Sequence, residues 1–85
     1  MIQRTLLALS DPTRREILRM LKKSDRTVSE ISERFDISAP AISRHLSVLK
    51  DAELVLSRRE GKFIYYSPRF DAIEEARDFL KSFLD

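Results

Sequence analysis

Apolar side chains recur along most of this chain at intervals of three and four, and over one stretch the interval drops to two. That change of period predicts a run of helices, a hairpin and a closing helix. Ile2, Leu6, Leu7 and Leu9 mark a short amphipathic helix over residues 1–9. Ser10-Asp11-Pro12 then ends it, supplying a capping side chain followed by proline at a first helical position. A second helix is expected over 12–23, with Ile17, Leu18 and Leu21 inward and Lys22-Lys23 at the negative end of its dipole. Ser24-Asp25-Arg26 reads as a turn. Thr27 and Glu30 form a T-x-x-E capping box, which starts a third helix with Val28, Ile31 and Phe35 as its apolar stripe.

Asp36-Ile37-Ser38 is a three-residue connection, and Ser38 can cap the next helix. That fourth helix, over 39–52, buries Ile42, Leu46 and Leu49. Residues 54–59 and 62–67 are β-branched, aromatic and aliphatic, and they flank Glu60-Gly61. The only glycine of the chain thus sits where a two-residue hairpin needs positive φ. Tyr65 and Tyr66 should point to opposite faces of the second strand. Pro68 ends that strand, and residues 71–84 form a fifth helix. The expected order is α-α-α-α-β-β-α, without internal repeats. The fold class is mostly α (α+β), a winged helix-turn-helix in one domain, with the helix-turn-helix at about 27–52 and the wing at about 54–67.

The face of the fourth helix opposite its apolar stripe carries Ala39, Pro40, Ser43, Arg44, Ser47 and Lys50. Small residues near its N-terminus let a helix sit deep in a major groove, where Arg44 can reach guanine O6 and N7 bidentately. Ser43 and Ser47 can donate to base edges or phosphates. Thr27, Ser38 and the free N–H groups of both helix starts suit phosphates. Arg58, Arg59 and Lys62 surround the hairpin tip, placed for the DNA backbone or the minor groove. The competing reading is a winged-helix protein-interaction module that does not bind DNA, for which basic residues merely guard an exposed strand edge. Such a module has no need of cations on both the fourth helix and the wing.

Charge adds to this picture by its distribution. The total is only +2, from 16 Lys and Arg against 14 Asp and Glu. Residues 38–69 hold 6 basic and 3 acidic side chains, whereas residues 70–85 hold 2 and 5. A basic middle is therefore masked by an acidic last helix. No apolar run approaches a membrane span, and the first residues lack a signal-peptide layout. Zero cysteines remove disulfides and thiolate chemistry and favour a cytoplasmic protein, which the DNA-binding reading would make nucleoid-associated.

Three strings carry a family resemblance: SDPTRREIL at 10–18, SAPAISRHLSVLKDAELV at 38–55 and RREGKFIYYS at 58–67. Together they resemble the ArsR family of winged-helix repressors over nearly the whole chain. With no cysteine, and with Ala52-Glu53 where many members read Ala-Gly, the chain is most similar to the SdpR-type autorepressors. The resemblance implies a transcriptional repressor acting as a homodimer on double-stranded, inverted-repeat operator DNA, often its own promoter. It places the recognition contacts on Ala39, Pro40, Ser43 and Arg44 and the wing contacts on Arg58, Arg59 and Lys62. Sequestration by a membrane or other protein is the release route it suggests.

Many members of that family sense metals through a Cys-x-Cys segment before the recognition helix. Here the stretch reads Thr27-Val28-Ser29-Glu30-Ile31, and the last helix offers Asp71, Glu74, Glu75 and Asp78 without an imidazole. Lacking N and S ligands, the chain is expected to bind no metal and no small-molecule cofactor. His45, the only histidine, is expected to pack at the helix edge with one nitrogen bonded, although an imidazole there could also sense pH. Ser, His and Asp do not form a hydrolytic constellation, and no glycine-rich phosphate loop is present, so no enzyme is expected.

The terminal helices are more apolar than one small core requires. Ile2, Leu6, Leu9, Phe79, Leu80, Phe83 and Leu84 are expected to form a dimer interface between helices 2–9 and 71–84 of two copies.

Overall fold

In a computed structural model, which describes residues 2–85, the chain forms five helices and a three-stranded antiparallel sheet. The helices are α1 (Ile2–Leu9), α2 (Pro12–Lys23), α3 (Val28–Ser32), α4 (Ala39–Asp51) and α5 (Asp71–Lys81). The strands are β1 (Arg26–Thr27), β2 (Val55–Glu60) and β3 (Phe63–Pro68), in the order β1-β3-β2. Met1, included in the first expected helix, lies outside the described residues.

The α1–α2 corner shows why SDPTRR sits where it does. Asp11 caps α2, accepting the Arg14 backbone N–H at 3.0 Å, and Pro12 fills the first turn. Arg14 and Arg15 then reach back to the otherwise unsatisfied carbonyls at the end of α1. Arg14 Nε donates to Ala8 O at 2.7 Å, and Arg15 Nη1 donates to Leu9 O at 2.8 Å.

Ile17, Met20 and Leu21 of α2, Ile31 of α3, Ile42, Leu46 and Leu49 of α4, and Leu54 and Val55 entering β2 form one buried core. Leu18, placed inward by spacing alone, is only partly buried, and Met20 takes the deeper position.

Four expectations are corrected. Asp25-Arg26 is not simply a turn, because Arg26–Thr27 pairs with Tyr66 and Tyr65 as the edge strand β1. Two residues cannot display a period, so this strand leaves no local signal. Helix α3 stops at Ser32, and Phe35 packs against the core from a turn in which Arg34 and Phe35 N–H groups bond back three residues. The hairpin turn centres on Gly61-Lys62 rather than Glu60-Gly61, since Glu60 pairs with Phe63. Gly61 has φ +61°, and no non-glycine residue of the turn has positive φ, as a type II′ turn requires. Finally, α5 ends at Lys81, short of the expected 84.

Helix α4 closes with a feature the helical period does not reveal. Leu54 N–H bonds to Leu49 O at 2.9 Å and Glu53 N–H to Lys50 O at 3.0 Å, the two bonds of a Schellman motif. Glu53 occupies its left-handed position, with φ +59°.

Candidate nucleic-acid interface

Helix α4 is anchored by Ile42, Leu46 and Leu49, so its remaining face must point outward. Ala39, Ser43 and Ser47 form an exposed row at i, i+4 spacing, with Pro40 and Arg44 as the row beside it. Arg44 makes no ion pair or side-chain hydrogen bond among the described residues, leaving its guanidinium available. Ser38 caps the helix by accepting Ala41 N–H at 3.3 Å, which uses an oxygen lone pair and leaves the hydroxyl proton to donate. Thr27 is committed further. Its Oγ1 accepts Glu30 N–H at 3.2 Å while its own N–H donates to Glu30 Oε1 at 2.9 Å. Lys50 turns away from this surface and donates to Ser57 Oγ at 2.9 Å, tying the end of α4 to β2.

The wing carries its three cations differently. Lys62 is exposed at the tip, its ammonium 5.8 Å from the Phe63 ring centroid. Arg59 is exposed, with a long 3.4 Å contact to Gly61 O. Arg58 lies on the sheet, paired with Asp25 and with Glu60, over the Tyr65 ring at 5.2 Å. The guanidinium holds the Asp25 carboxyl below its ordinary range, and the Glu60 and Asp25 carboxylates raise the Arg58 pKa. This cluster was invisible to local pattern, because Asp25 and Arg58 are 33 residues apart.

His45 is half-buried where α4 crosses the α1–α2 corner. Its Nδ1 lies 3.3 Å from Arg14 Nη1 and 3.9 Å from Asp11 Oδ2, which matches the expected edge packing with one nitrogen engaged. The two tyrosines separate as expected, Tyr66 against the core and Tyr65 on the opposite face beneath Arg58. At the terminal helices, Phe79, Leu80, Phe83 and Leu84 are 37%, 52%, 73% and 86% exposed. Ile2 and Leu6 are half-buried. Leu9 differs from expectation in packing against the core, and Leu7 is the α1 leucine left outside, 63% exposed. Among the described residues no three His, Cys, Asp or Glu side chains gather as a cation site, and no helix is long and apolar enough to cross a membrane.

Comparison with known proteins adds an independent line. Residues 11–57 match the family described as "Bacterial regulatory protein, arsR family". The transcriptional repressor SdpR of Bacillus subtilis is 45% identical over 78 residues, covering 92% of this chain and 87% of that protein. A probable mercury resistance operon repressor of Streptomyces lividans is also 45% identical, over 71% of this chain but only 48% of its own length. Among solved structures, an ArsR-like transcriptional regulator from Rhodococcus sp. RHA1 superposes with a TM-score of 0.91 at 32% identity, covering 96% of this chain and 75% of that one.

Proposed function

The chain belongs to the arsR family of bacterial regulatory proteins, and from that premise we propose that it represses transcription as a homodimer on an inverted-repeat operator, its own promoter among the targets. One observation carries the reading: the outward face of α4 offers small residues around an unengaged arginine, beside a wing tip with two exposed cations. Ala39, Pro40, Ser43 and Ser47 admit the helix to the major groove, and Arg44 reads a guanine. Thr27 and Ser38 hydroxyls donate to phosphates, and Arg59 and Lys62 engage the flanking backbone. The helix-turn-helix at 27–52 and the wing at 54–67 form this DNA unit. Helices α1 and α5 supply the dimer contact, which sets the two recognition helices one or more DNA turns apart, about 34 Å each. The chain works at chromosomal DNA, hence in the cytoplasm. Its donor set of carboxylates without thiolate or paired imidazoles suits repression without a transition-metal sensor.

Fluorescence anisotropy with a labelled duplex from upstream of its own gene, against a random duplex of equal length, tests this at two salt concentrations. The promoter duplex should bind more tightly, and both should weaken steeply with salt. Arg44→Ala should cost about 1–3 kcal/mol and relax the preference at one base position per half-site. Equal affinity for both duplexes would overturn the operator assignment.

A further inference from the structure

Sheet register places Thr27, Tyr65 and Arg58 in one row across β1, β3 and β2, with their side chains on the face away from the core. Asp25 leads into β1, and Ser67 and Glu60 lie on that same outward face by alternation. From β2 the Arg58 guanidinium therefore crosses the whole of β3. It lies over Tyr65, donates to Ser67 Oγ at 3.1 Å and Glu60 Oε2 at 2.6 Å, and ends on Asp25. One cation is flanked by two carboxylates, so the cluster carries a net negative charge. A DNA phosphate approaching it would be repelled by the two carboxylates, which with Ser67 already engage the guanidinium's Nε and Nη1 donors.

We infer that Arg58 is a positioning residue: clamped by Asp25 and Glu60, it fastens the wing to the strand that opens the helix-turn-helix, and so sets where Arg59 and Lys62 meet DNA. The inference rests on the DNA-binding reading above and deepens it. Two features make the fastening matter. Strand β1 is only two residues long, and its second residue, Thr27, is also the cap of α3. Beyond the two β1–β3 pairs at Tyr65 and Tyr66 the hairpin is a two-stranded ribbon, a form that is marginal on its own in water. A guanidinium that spans all three strands fixes the tip relative to α3 and α4.

The decisive variant is Asp25→Asn, which keeps side-chain size and removes a negative charge. Were Arg58 a phosphate contact, freeing it from Asp25 would tighten DNA binding. As a positioning residue, Arg58 loses its anchor, and affinity for the promoter duplex should fall about threefold, the scale of a partly exposed ion pair. Arg58→Ala in the Asp25→Asn background should then add little, and Glu60→Gln should act in the same direction as Asp25→Asn. In the free protein, ¹⁵N order parameters of residues 59–63 should drop in Asp25→Asn, with thermal unfolding checking that each variant is folded. Unchanged or tighter binding by Asp25→Asn overturns the inference. So does a salt slope reduced by about 1 per protomer in Arg58→Ala, which would make that residue a phosphate contact. If the wild-type chain binds neither duplex, the repressor reading itself fails, and the order parameters alone then decide whether the tether exists.

Discussion

Glu53 illustrates how a single residue can hold a conformation its side chain disfavours. Left-handed backbone costs a non-glycine residue roughly 1–2 kcal/mol, yet here it closes α4 and aims the chain into β2. Buried Leu49 and Leu54, joined by the outer Schellman bond, over-determine the geometry. Among the described residues the only side-chain compensation is a 3.6 Å ion pair with Arg69 at the surface, a weak interaction in water. Glu53→Gly should therefore stabilise the protein by about 0.5–1 kcal/mol and raise Tm by several degrees, measurable by circular dichroism. A lowered Tm would mean the Arg69 contact outweighs the backbone strain.

At the scale of elements, helix ends and strand pairing carry the architecture. Asp11 and Asp25 are both held as carboxylates, the first by the Arg14 backbone N–H and the second by the Arg58 guanidinium. Both pKa values fall below the ordinary 3.8. A group depressed in the folded state contributes stability that is present above its unfolded pKa and is lost as pH falls through the folded one. Stability should thus be flat near neutrality and decline once pH drops below about 4. Asp11→Asn keeps a good N-cap but removes the titration, so it should shrink the loss of Tm between pH 5 and pH 3. An unaltered acid profile would show that other carboxylates dominate. Strand β1 belongs to this scale too, since it exists only because β3 offers it partners.

For the whole molecule, the question is what covers the apolar ends. Leu7, Leu80, Phe83 and Leu84 are exposed well beyond what an isolated surface residue needs, and Phe79 meets Phe83 edge to face at 5.1 Å. A second copy of the chain covers them in the proposed dimer. Leu80→Glu should then raise the dimer dissociation constant tenfold or more, on the scale of about 1.5–3 kcal/mol for each buried leucine. Sedimentation equilibrium measures this, and promoter affinity should fall in parallel while protomer stability changes little. A variant that stays dimeric would move the interface elsewhere.

Sequence alone determined the features that depend on near neighbours. Periodicity located α2 and α4, with Ile42, Leu46 and Leu49 inward, and the residue types at 10–12, 27–30 and 38 located the starts of α2, α3 and α4. These rest on contacts within one helical turn, so a local pattern contains them. The outward row of α4 followed by subtraction, and the ordered motifs resembled the arsR family over most of the chain. Only the tertiary structure decided what links distant segments. It added β1, shifted the turn to Gly61-Lys62, turned Lys50 onto Ser57 and Leu9 onto the core, and placed Arg58 on Asp25. Strand register and long-range ion pairs depend on which surfaces meet after the core closes, and no interval along the chain records that meeting.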